Sequence, residues 1–400
     1  MPHNLAMAYF MLLDSDERKE ALLSKIFSMI SKSRGEIVVG SHKFLSRFFK
    51  NSYPSLDWIQ VEISSYCNGK CIYCPHTEYQ KNWQNRYLPM GLFQNLIPAF
   101  AKTNLVHLQG WGEPFTHTDF FDMLRAAKKA GCMVGTTTNG NLLSREKIET
   151  LVEENLDFIG FSLAGIDENN DSIRRGTSIR GVLDCIDEIH KAKAKYRTDK
   201  PKIHLAYMLM RSGVDDLDAL PDFLANAGVT QAVISSLSLL VNPEMEAESV
   251  FSLSEPDFLE LKDRLLQVRA VSENLGTEVH FHIVSPFMEK FHCMENATHA
   301  VVIGSDGGVS PCVMAQIPVE GENEHYFRKQ KQHLRKMSFG NITDNSLDGI
   351  WHQKEYRRFL KTYRSEKSPS FCMNCLKGFS DDFTQETSLE QVQAYLREIS

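Results

Sequence analysis

The densest chemistry in the chain lies in residues 67–76, CNGKCIYCPH, where Cys67, Cys71 and Cys74 stand at C-x3-C-x2-C spacing. Thiolates are the usual ligands of iron–sulfur cubes, and four of them complete a [4Fe–4S] cluster. Three leave one iron without a protein ligand. That open position suits a small molecule with adjacent amine and carboxylate groups. Gly69 helps the loop curl tightly around such a cube. The competing reading is zinc, with His76 as a fourth ligand, because structural zinc wants four.

A second set lies far along the chain: Cys293, Cys312, Cys372 and Cys375. Cys293 and Cys312 frame a hairpin that turns at Asp306-Gly307-Gly308, and CMNC supplies a C-x2-C pair. Together the four make a closed [4Fe–4S] site, with structural zinc as the alternative. Cys132 and Cys185 read as buried core thiols. Either one facing the interior of a barrel would be a hydrogen-atom donor and would signal epimerisation.

The elements that must position these thiols begin near residue 57 as a strand–helix rhythm. Strands are expected at 58–64, 104–109, 133–138, 157–163, 202–209 and 231–237, with helical patterns such as 118–130 and 145–154 between them. That alternation argues for parallel βαβ units. The first cysteine loop follows the first strand at its C-terminal end, where barrel enzymes place their chemistry. Along 58–64, Ile59, Val61 and Ile63 share one face, and Gln60, Glu62 and Ser64 share the other. The later strands repeat the pattern. Helices must cover the apolar face, so the polar face is expected to line an open, polar lumen; an open sheet with a wet edge is the alternative. Gln60, Glu62, His107, Gln109, Trp111 and His204 are expected to meet substrate there. Glu62, His107 and His204 are the catalytic candidates, as groups able to remove a proton. Packing within the sheet is the competing role for each.

Residues 1–50 read as a helical segment, with Leu22, Ile26, Met29 and Ile30 on one face. After about 240 the rhythm changes to a helix at 255–271, a strand near 278–284, the hairpin, and a closing helix at 388–399. The expected division is therefore 1–50, a barrel over 51–240, and a smaller cysteine-bearing domain over 241–400.

In three further segments the sequence resembles the radical S-adenosylmethionine (SAM) family. GWGEP at 110–114 follows the second strand, with Trp111 where the family usually has Gly. TTTNG at 136–140 follows the third, and FSLAGIDENNDSIRRG at 161–176 the fourth, with Ala164 in place of Asp. The likeness covers roughly 57–238 and implies an α/β fold, a partial (β/α)6 TIM-like barrel. It implies that SAM chelates the open iron of the [4Fe–4S] cluster. Reductive cleavage then gives a 5′-deoxyadenosyl radical that takes hydrogen from substrate. Roles carry over residue by residue: Gly112 and Glu113 near the SAM amine, Asn139 and Ser162 toward the ribose, Arg174 on the carboxylate, and Tyr73 beside the adenine. The later cysteines resemble the SPASM/twitch extension, which carries an auxiliary [4Fe–4S] cluster. No cysteine follows Cys375, which favours the shorter twitch form.

The resemblance implies a radical SAM oxidoreductase, supplied by a flavodoxin- or ferredoxin-type electron donor, with net oxidation of a small molecule as the favoured reaction. A peptide maturase forming a crosslink or epimer is the alternative within that chemistry. A zinc-binding scaffold is the alternative outside it. The bulk composition narrows the partners. The 400 residues carry a net charge of −7, a poor match to nucleic acid. The basic run at 328–336 reads as a solvated loop face. No apolar run approaches the ~18 residues of a membrane span, and the N-terminus lacks a secretory pattern. A reducing cytoplasm is expected, where nine cysteines serve metals rather than disulfides.

Overall fold

The structure, a computed structural model, describes residues 56–288, 291–321, 323–365 and 368–381. The helices expected within 1–50 and 388–399 lie outside the described residues.

Six strands appear where alternation placed them: Leu56–Val61 (β1), Thr103–Leu108 (β2), Met133–Thr138 (β3), Phe158–Leu163 (β4), Lys202–Leu209 (β5) and Gln231–Ser236 (β6). Each pairs in parallel with the next. Helices cross between them, among them Phe120–Lys129 (α1), Arg145–Glu153 (α2) and Ile179–Tyr196 (α3). In α3 the buried stripe Ile179, Val182, Cys185, Ile186 and Ile189 follows helical spacing and faces the sheet. Cys185 is therefore a packing thiol, its Sγ 3.5 Å from the Gly140 carbonyl. Cys132 is likewise buried, with Sγ 3.3 Å from the Ala127 carbonyl.

The chain beyond 240 extends the same sheet at both ends. Glu278–Val284 (β7) pairs in parallel with β6, and Ala300–Ile303 (β8) pairs in parallel with β1. Val309–Ser310 (β9) turns back on β8, and Ser380–Asp381 turns back on β7. The result is one open ten-stranded sheet with antiparallel pairs only at its two edges. The basic run is largely exposed, as expected, but part of it is an antiparallel hairpin, Glu324–Phe327 with Gln330–His333, where a loop was expected. No helix among the described residues is long and apolar enough to cross a membrane.

The lumen is less open than alternation implied. Trp58, Leu105, Phe158, Ala206, Val233 and Ala300 form an apolar cluster of their own inside the sheet. The Phe158 ring stacks on His204 with centroids 4.8 Å apart, and tilts against His107 at 5.4 Å. Gly135 makes room for it, since a β-carbon there would sit 2.0 Å from the Phe158 ring. This plug fills the lower lumen. The polar space survives toward the C-terminal ends of the strands.

Candidate active site

Three loops converge above the plug. The cysteine loop follows β1, the GWGEP loop follows β2, and the TTTNG loop follows β3. A pocket of about 580 Å³ between them is lined by Cys67, Cys71 and Cys74 together with Gly112, Asn139, Ser162 and Arg174.

Glu113 ties the loops. Its Oε1 accepts hydrogen bonds from Thr138 Oγ1 (2.7 Å) and Phe115 N (3.2 Å), and Oε2 accepts from Asn139 N (2.8 Å). Its own N–H donates to the Tyr66 carbonyl at 2.7 Å. Burial raises its pKa while these three donors oppose the rise. Gly112 is demanded by a close approach: a β-carbon would meet the Ser64 and Tyr66 carbonyls at 2.4 and 2.5 Å. Asn139 Nδ2 donates to Asn68 Oδ1 at 2.8 Å, bracing the cysteine loop.

Arg174 faces Cys71 across a two-residue antiparallel ladder. One of its amino groups contacts the Tyr73 hydroxyl. Its Nε is buried with no hydrogen-bond partner. Burial opposes its charge, but Tyr73, Cys71 and Cys67 beside it more than compensate and hold the guanidinium protonated. A buried guanidinium edge without an acceptor is a place for an anion, and a carboxylate fits its fork geometry. Asp171, from the same motif, accepts from Ile179 N at 2.7 Å and so anchors the start of α3.

Cys67, Cys71 and Cys74 line one pocket, and three thiols are a donor set that an iron–sulfur cluster accepts. Burial raises the pKa of Cys67, with Glu113 and Cys74 adding to it, and Cys74 is pushed up to about 11 by burial and Cys71. The Gly69 N–H already points at Cys67 Sγ, 3.4 Å away. Among the described residues, no group of three His, Cys, Asp or Glu side chains is arranged to hold a single metal ion.

The later cysteines also come together. Burial, then Glu295 and Cys375, pushes Cys293 up to about 12. Cys312 is raised by burial and by Glu295, Cys372, Cys375 and Cys293. The C-x2-C turn closes with Cys375 N donating to the Cys372 carbonyl at 3.1 Å. Lys377 and Glu295 form a buried ion pair beside them, and Tyr363 Oη donates to the Cys293 carbonyl at 2.9 Å. Cys375 also lines a groove with the end of β6 and the hairpin.

The expected catalytic groups are elsewhere. His107 and His204 pack on Phe158 in the plug and do not line the pocket. Burial pushes the His204 pKa down to about 3, with His280 and Lys202 adding, so it is neutral at ordinary pH. Glu62 is buried behind the GWGEP loop. Its Oε1 accepts from Trp111 N at 2.7 Å, and Oε2 accepts from Ser305 N and Oγ at 3.2 and 3.0 Å. Burial outweighs those donors and raises its pKa to about 7. Of the other lumen residues, Gln109 and Trp111 do line the pocket, and Gln109 Oε1 is buried without a hydrogen-bond partner. Thr137 and Thr138 also line it and were not singled out, although TTTNG was the available signal.

The family model of the radical SAM superfamily matches residues 61–219, and that of an iron–sulfur cluster-binding domain, SPASM, matches residues 293–376. A tungsten-containing aldehyde ferredoxin oxidoreductase cofactor-modifying protein of Pyrococcus furiosus is 26% identical, over 84% of this chain and 91% of its own. An Fe-coproporphyrin III synthase of Methanosarcina barkeri is 24% identical, over 77% and 75%. The solved structure of Streptococcus suis SuiB bound to the precursor peptide SuiA superposes with a TM-score of 0.58 at 15% identity, covering 90% of this chain and 82% of that one.

Proposed function

Since the chain belongs to the radical SAM superfamily and carries a C-terminal SPASM iron–sulfur domain, we propose that it is an oxidoreductase that abstracts hydrogen from a small molecule and completes a net two-electron oxidation. When bound, an iron–sulfur cluster and SAM would supply the radical, and an auxiliary cluster would offer an acceptor for the second electron. The observation that carries this reading is the pocket itself. Three thiols, a glycine-lined loop and an arginine with an unpartnered buried Nε share one cavity at the C-terminal ends of the strands.

This chain's residues hold and orient. Cys67, Cys71 and Cys74 ligate the first cluster, and Cys293, Cys312, Cys372 and Cys375 ligate the second. Arg174 receives the SAM carboxylate, and backbone at Gly112 and Glu113 meets the amine. Asn139 and Ser162 reach the ribose, and Tyr73 flanks the adenine. Residues 51–240 serve as the radical-generating unit and 241–400 as the auxiliary one. A flavodoxin- or ferredoxin-type carrier supplies electrons in a reducing cytoplasm. The name of the Pyrococcus relative, a cofactor-modifying protein, supports a small-molecule substrate.

The test is anaerobic reconstitution followed by reduction with SAM. Formation of 5′-deoxyadenosine is expected, with deuterium carried into it from the correct labelled substrate. A reduced, iron-loaded protein that leaves SAM intact would defeat the proposal.

A further inference from the structure

A second groove, of about 570 Å³, lies beside the auxiliary cysteines. Its lining includes Cys375 and Met314, with His325 and His333 from the hairpin and Arg335 from the segment just after it. Among the described residues, no carboxylate side chain lines it.

The cations of the basic run are largely engaged. Arg328 lies over the rings of Phe251, Phe327 and Phe379 at 5.3 to 6.0 Å. Lys331 pairs with Glu324 at 2.7 Å, and Lys336 with Asp306 at 2.5 Å. Arg335 is exposed at the groove and has no ion pair among the described residues. His333 stands opposite Glu324 in the hairpin ladder, whose carboxylate Lys331 already occupies. His325 is half-buried, and burial lowers its pKa. A guanidinium with no ion pair among the described residues, in one groove with two imidazoles, presents N–H donors in a fork geometry that suits an oxyanion.

The groove also lies close to the SAM pocket. Trp111, which lines that pocket, donates from Nε1 to the Val313 carbonyl at 3.2 Å. Val313 is the neighbour of Met314 in the groove wall. A ligand anchored here would lie beside Cys375.

We propose that this groove binds the oxyanion end, a phosphate or carboxylate, of a small-molecule substrate, with Arg335 as its principal anchor. This rests on the radical SAM reading for the word substrate, but not for the binding of the anion.

The test uses the full chain, reconstituted anaerobically, with inorganic pyrophosphate and succinate as separate probes read by calorimetry. At least one probe is expected to bind, and its identity assigns phosphate or carboxylate. Arg335→Gln is expected to weaken that probe by about tenfold or more and Arg335→Lys by less, in keeping with loss of one charge-assisted contact. Lys361→Ala, which removes an exposed cation outside the groove, is expected to leave affinity unchanged. Circular dichroism establishes that each variant is folded. The proposal is overturned if neither probe binds the parent, if Arg335→Gln binds as tightly as the parent, or if Lys361→Ala loses as much. Failure of SAM cleavage in the parent chain would strike the proposed reaction and leave anion binding to be judged by these results.

Discussion

Glu62 and Trp111 are joined by a 2.7 Å hydrogen bond from the Trp111 N–H to Glu62 Oε1, while the other carboxylate oxygen holds Ser305. One buried side chain thus fastens the GWGEP loop to the turn that leads to Cys312. It lies behind the pocket wall and acts by positioning.

Glu62→Ala leaves two buried N–H groups without acceptors. A loss of about 2–4 kcal/mol is expected, measured by denaturant unfolding of the cluster-free chain. Glu62→Gln keeps one acceptor and is expected to cost less. Equal stability of the alanine variant and the parent would remove the clamp from the account.

Gly135 and Phe158 form the second coupled pair. Gly135→Ala drives a β-carbon into the Phe158 ring, 2.0 Å away before relaxation. Destabilisation of about 1–3 kcal/mol is expected. Phe158→Leu introduced into the same chain should recover part of it, with a coupling of roughly 1 kcal/mol in a double-mutant cycle. Strict additivity would show that the two do not touch.

His204 sets a pH dependence. Burial lowers its folded-state pKa to about 3 from an ordinary 6.5. Between those values the unfolded chain binds the extra proton, so this group's share of stability is full above about 6.5 and is lost as pH falls. By pH 5 the loss reaches about 2 kcal/mol. His204→Gln should flatten the slope of stability against pH by that amount over pH 7 to 5, whatever its effect on absolute stability.

The two cysteine sets should fail independently. Cys71→Ala is expected to remove about half of roughly eight irons per chain and to abolish SAM cleavage. Cys375→Ala should remove a similar share of iron yet retain SAM cleavage uncoupled from substrate oxidation. Iron analysis and the 5′-deoxyadenosine yield read both. Full iron in either variant contradicts the ligand assignment.

Arg174→Lys replaces a planar fork with a point charge and discards the buried Nε. SAM affinity is expected to fall by about tenfold or more with iron content unchanged, measured by equilibrium binding to the oxidised protein. Unaltered affinity would assign the carboxylate to another group.

Local spacing carried much of this protein. Cys67, Cys71 and Cys74 sit within one short loop, so their convergence needs no distant partner. Strand faces follow from alternation, and the ends of β1 to β4 could be matched to the motifs that follow them. Cys185 could be read as a core thiol from its helical stripe.

Depth and company could not be read that way. Alternation says which face a side chain takes, and nothing about what fills the space in front of it. His107 and His204 share the lumen face with Gln109, yet Phe158 occupies the lower lumen and leaves only the upper one open. Glu62 looked like a base facing substrate, because Ser305, 243 residues away in sequence, is its partner only once β8 has docked beside β1. The basic run is the solvated face its composition suggests, but which of its cations is neutralised depends on Glu324, Asp306 and three phenylalanine rings. These outcomes turn on through-space pairing and volume, and a linear pattern encodes neither.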